Sequence, residues 1–147
     1  MKRNSPHSRR GGLLLESALM LPVLLLLTFG MVDFARIFRT GIIVSNAAAT
    51  GALYGSSGLT NSTNMTDVEN AAIADANGLT GFAATATSFC TCSAGGTSVS
   101  CSTVCPAGAA ILIYVQVQAS APFSTWFPFP GVPSSTTVHS TITMRLQ

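Results

Sequence analysis

From Leu13 to Val32 the chain runs through apolar side chains interrupted only by Glu16, Ser17, Thr28 and Gly30. A helix over that stretch, at about 1.5 Å per residue, reaches about 30 Å, the thickness of a bilayer's hydrocarbon core. The run therefore predicts a transmembrane helix, loosened or kinked at Pro22. A cleavable secretory signal is the competing assignment, but its apolar part is normally about 7–15 residues and closes on a small-x-small site. Here the run is longer, contains Glu16 and passes without such a site into "FGMVDFARIF". From Asp33 to about Tyr54 there is no proline, and Phe34, Ile37, Phe38 and Ile42 recur at helical spacing. The helix is thus expected to leave the membrane and continue to about Tyr54, with Asp33 and Arg36 spaced to pair along it. Near its end "NAAATGALYG" sets Gly51 and Gly55 four apart, with Ala48 and Ala52 beside them. Small residues at this spacing let backbones approach closely, either against another subunit or against the chain's own sheet.

Beyond the helix, "GSSGLTNSTNM" (residues 55–65) reads as a polar linker. "TDVENAAIADANG" then reads as a short helix, opened by a Thr66–Glu69 capping box and closed at Gly78. After that the period changes to two. Strands are predicted over 82–90, over 109–120 with Val115 and Val117 alternating with Gln116 and Gln118, and over 136–146. The last sets Val138, Ser140, Ile142 and Met144 on one face against Thr137, His139, Thr141, Thr143 and Arg145 on the other. A Pro- and aromatic-rich loop, "APFSTWFPFPGVP", joins the last two strands. The expected architecture is α+β: a long N-terminal transmembrane helix packed on a small antiparallel sheet. By segment, it divides into a basic leader (1–11), a transmembrane helix (12–32), its outer continuation and linker (33–58), and a head (59–147).

Charge changes this picture by orienting it. Charged residues are only 8% of the chain and the formal net charge is +2, far from the usual composition of a soluble domain. Lys2, Arg3, Arg9 and Arg10 crowd the first ten residues, whereas from Gly12 onward three arginines face five acids. The cluster orients the N-terminus to the cytoplasm and the rest to the outside. Outside the leader no basic patch is interleaved with aromatics, so no nucleic-acid partner is expected.

The four cysteines, Cys90, Cys92, Cys101 and Cys105, all fall in the outer head, where an even count points to two disulfides. If residues 82–92 and 98–105 form a hairpin, Cys92–Cys101 nested inside Cys90–Cys105 suits the antiparallel geometry best. A four-thiolate zinc site is the rival, but the CxC and CxxxC spacings match CxxC knuckles poorly. No cofactor is called for and no catalytic set emerges. His7 and His139 are far apart, His139 sits on a strand face, and the serines lack a nucleophile-elbow context. Asn61 and Asn64 head sequons of a kind that short Ser/Thr-rich stretches produce readily. Trp126, Phe127 and Phe129 are anchor-type residues, either an exposed partner-binding loop or a core cap at the end of the sheet.

The block "RRGGLLLESALMLPVLLLLTFGMVDFARIF" resembles the N-terminus of TadE-like pseudopilins of the tight-adherence (Flp, type IVb) pilus systems. The matching residues are Arg9 and Arg10, Gly11, Glu16, Leu21 and Pro22, Gly30, Asp33, Phe34 and Arg36. "NAAATGALYG" and the closing strand, Pro-aromatic loop and strand are similar to later parts of the same family. Ser17 departs from it, standing where an aromatic is usual. The resemblance implies a pilin-like fold and a minor pilin or pseudopilin in the inner membrane, able to enter a surface pilus. It further implies prepilin peptidase cleavage between Gly11 and Gly12, which makes Glu16 the fifth residue of the processed chain. Glu16 would then compensate a neighbouring subunit's N-terminal amine or aid recruitment to the assembly platform. The implied partners are other pilin subunits, the platform, the peptidase and membrane lipid. An unprocessed, membrane-tethered extracytoplasmic binding module is the alternative.

Overall fold

The computed structural model describes residues 8–127 and 131–146. Residues 1–7 of the leader and Phe129 of the aromatic loop lie outside them. The first element, α1 (Ser8–Ser56), is one continuous helix of 49 residues, about 70 Å long. It passes through Pro22 without a break. Within it, Leu14–Ser56 is the one candidate membrane span among the described residues, and its most apolar window is almost wholly exposed.

The upper half of α1 differs from the lower. Buried positions recur at Thr40, Val44, Ala47 and Ala48, Gly51 and Ala52, and Gly55 and Ser56, one stripe at helical spacing. The linker expected at 55–65 contains a short helix, α2 (Leu59–Thr63). Its Asn61 amide donates to the Tyr54 carbonyl and the Ser57 hydroxyl, tying it to the end of α1. Next comes α3 (Met65–Asp75), which turns Val68 and Ala72 inward. The capping box proposed for it does not form. Asn64 occupies the N-cap and its amide bonds Asp67, while the Glu69 carboxylate accepts the Ala86 backbone N–H at 2.9 Å. Glu69 thus joins α3 to the sheet instead of closing its own first turn.

Three strands, β1 (Ala83–Thr91), β2 (Leu112–Ser124) and β3 (Ser135–Arg145), form an antiparallel meander with β2 in the middle. Alternation divides its faces. Ala86, Val115, Val117, Ala119 and Ala121 face α1 and α3, with Val138, Ile142 and Met144 packed beside them. The other face carries Thr85, Thr87, Gln116, Gln118, Thr141 and Thr143, with Phe89 stacked on Tyr114 at 5.3 Å.

The core is built of valine and alanine, and its closeness depends on two glycines. A Cβ on Gly51 would stand 3.0 Å from both the Ala72 Cβ and the Val68 carbonyl oxygen. One on Gly55 would stand 2.8 Å from Val115 and 3.0 Å from Val68. The small-residue stretch therefore serves packing within the chain.

The cysteines pair as Cys90–Cys101 and Cys92–Cys105, not in the nested arrangement expected from a hairpin. The hairpin is reduced to a single bridge, Cys90 with Val99. That register would set Cys92 opposite Thr97, and the chain turns away at Cys101–Ser102 before a second strand can extend. Cys101 is left near Cys90, and Cys105 returns to Cys92. All four thiols are thereby oxidised, and among the described residues no cluster of three or more His, Cys, Asp or Glu could hold a metal.

Two measurements follow. Gly55→Leu should destabilise the head by about 1–3 kcal/mol through overpacking, seen as a lower thermal midpoint in detergent. Cys90→Ser/Cys101→Ser should leave no titratable thiol in the unfolded oxidised chain, whereas Cys90→Ser/Cys105→Ser should leave two.

Candidate functional site

The chemistry-bearing residues gather where the bare half of α1 meets the head. Asp33, only 5% exposed, is the lowest buried position on α1 among the described residues. Its carboxylate accepts the backbone N–H of Trp126 at 3.2 Å to each oxygen and that of Phe127 at 3.3 Å. One turn on, the Arg36 guanidinium donates to Asp33 at 2.8 Å and to the Ser124 carbonyl at 3.4 Å. It also lies 3.9 Å from the Trp126 ring centroid and 5.2 Å from that of Phe123, within cation–π range. Below them Phe29 and Phe127 stack at 4.2 Å. The helix and the loop leaving β2 are therefore clasped by a carboxylate, a guanidinium and four aromatic rings.

Asp33 stands one residue above the 12–32 apolar run, and its electrostatics follow from these contacts. Burial opposes its charge. The backbone donors of Trp126 and Phe127 and the Arg36 guanidinium outweigh that penalty and hold the carboxyl below its ordinary range. The Asp33–Arg36 pairing expected from spacing is present, but Asp33 chiefly serves a loop more than ninety positions further along the chain. The two described aromatic residues of the loop differ in their surroundings. Phe127 is half-buried on the helix, and Trp126 is exposed with one face under Arg36.

Other sequence-derived candidates are not drawn into this cluster. Glu16 is exposed on the lower half of α1, with no ion-pair partner among the described residues. Gly11 and Gly12 both lie within α1, and Gly12 is exposed with open space where a Cβ would be. His139 lies across from Ser120 in a shallow depression on the outer sheet face, shared with Gln118 and Thr141. No hydrogen bond joins its imidazole to Ser120 or Thr141.

Comparison with protein families matches residues 11–53 to the family described as TadE-like protein. The N-terminal segment is TadE-like. The match begins at Gly11, takes in Glu16, Asp33 and Arg36, and ends two residues before Gly55. It covers the lower half of α1 and most of the docked half, leaving the sheet outside. Comparison with curated proteins and with solved structures gives no match. The segment that matches the TadE-like family is thus a membrane-anchor candidate that also supplies the helix on which the head is built.

If Asp33 holds the loop, Asp33→Ala should speed hydrogen exchange at the Trp126 and Phe127 amides by at least roughly tenfold. Amides in the middle of β2 should be unaffected. The depressed carboxyl fixes the sign with pH. The tether's contribution is complete above the unfolded aspartate value of about 3.9 and is lost as pH falls through the folded value. Loop proteolysis should therefore rise on acidification.

Proposed function

We propose that this protein is a minor pilin or pseudopilin, a structural rather than catalytic component of a tight-adherence-type pilus or a related secretion apparatus. The observation that carries the reading is the TadE-like match on a helix whose lower half is bare and apolar while its upper half is the spine of a disulfide-bonded head. A protein so built can be held in a membrane by one end and present its head at the other. In this reading the leader is cytoplasmic, the head lies beyond the inner membrane, and prepilin peptidase cuts between Gly11 and Gly12.

Glu16 then has a defined task. A carboxylate within an apolar span costs a few kcal/mol, and pairing with a neighbouring subunit's new N-terminal amine offsets that cost. Its exposure on α1 supports an intersubunit role, since the side chain is free to meet a group outside the chain.

Intact-mass measurement on the full chain co-expressed with an active prepilin peptidase tests this. The expected product begins at Gly12. Glu16→Ala should still be cut but should no longer co-purify with the other pilin subunits. A chain that keeps its leader under an active peptidase would overturn the processing step and favour the unprocessed, membrane-tethered binding module.

A further inference from the structure

We propose that the loop between β2 and β3, around Trp126, Phe127 and Val132, is a second membrane contact that seats the head in the lipid interface beside α1. The inference rests on residues 12–32 spanning the membrane and adds to that reading the surface by which the head itself meets lipid.

Depth is the first argument. Phe127 stacks on Phe29 at 4.2 Å, and Phe29 belongs to the apolar run. Whatever surrounds the last turn of that run also surrounds this part of the loop. Around it the helix presents Leu25, Leu26 and Val32 to the outside, and Trp126 and Val132 extend the same apolar surface. Trp126 is 65% exposed, Val132 54% and Phe34, alongside them on α1, 70%. Between loop and helix runs an open cleft of about 400 Å³ walled by Gly30, Phe34, Ile37, Phe123 and Val132, an apolar trough suited to part of an acyl chain.

The polar groups supply the second argument. An irregular loop at membrane depth is tolerated only where its backbone donors are satisfied from within the protein. The Asp33 carboxylate does this for Trp126 and Phe127, a provision that a loop standing in water would not need. Tryptophan, an apolar ring with one polar N–H, belongs at the headgroup level. Arg36 lies on its face, about one turn above the end of the apolar run, where a guanidinium can reach lipid phosphate while its stem stays among the rings. The lipid surface is favoured over a protein partner because this apolar patch is continuous with the span.

Trp126 is the sole tryptophan, so its fluorescence reads the loop directly. The full chain is reconstituted in phosphatidylethanolamine–phosphatidylglycerol vesicles whose acyl chains are brominated either near the headgroup or near the chain end. Shallow bromines should at least halve the Trp126 emission, deep bromines should quench it weakly, and aqueous acrylamide should reach it less than in the unfolded chain. A Trp126→Phe chain carrying Leu24→Trp reports the span by itself and should be quenched most by deep bromines. If that reporter responds while Trp126 ignores lipid bromines and is open to acrylamide, the loop proposal fails and the span stands. If Trp126 is shielded from bromines and acrylamide alike, protein covers it and the proposal fails as well. If neither reporter responds to bromines, the transmembrane reading fails and takes the loop contact with it.

Discussion

One helix has to satisfy two surroundings. The lower half of α1 carries leucines outward on every side, and the upper half buries a stripe from Asp33 to Ser56 against the head. No turn or linker separates these halves, so the surface must change character while the backbone continues. The change is made by side-chain size. Above Val44 the buried stripe narrows to alanine and glycine, closing on Ser56, which brings α3 and β2 close enough for valines to fill the space. A head with so few large apolar residues has a thin core, and its two disulfides hold the region least supported by the sheet, the excursion between β1 and β2.

The transition point is where polar chemistry concentrates. A carboxylate at Asp33 is costly to bury alone, and it is matched by the N–H groups of a loop that would otherwise lack acceptors. Each side resolves the other's deficit. Arg36 completes the arrangement by neutralising the charge and covering the aromatic rings. The TadE-like match includes both residues, while the loop they hold lies far outside it.

Much of this was legible in the residues because it depends on local period. The apolar run and the spacing after it defined α1, and alternation placed all three strands and the inward face of β3. Where two distant segments meet, local pattern was silent or misleading. Glu69 fits a capping box by spacing, yet the Ala86 N–H lies within reach and takes it. The cysteine pairing followed from assuming an extended hairpin, and the chain forms one bridge and turns away. Gly51 and Gly55 read equally well as an internal or an external contact until α3 was seen against them. The Asp33 tether had only a faint signal: an acid at the end of an apolar run, with a Pro-aromatic loop elsewhere needing acceptors.

The unbroken course of α1 has a mechanical meaning. Contacts between helix and head are strung along its axis from the Asp33 clasp to Ser56, over about 35 Å. An axial pull on the lower half therefore loads them together rather than peeling them one by one. With no hinge to absorb displacement, a shift of the anchor moves the head by the same distance. The molecule behaves as a stiff rod with a collar, able to pass a push or a tug from one end to the other without first unfolding.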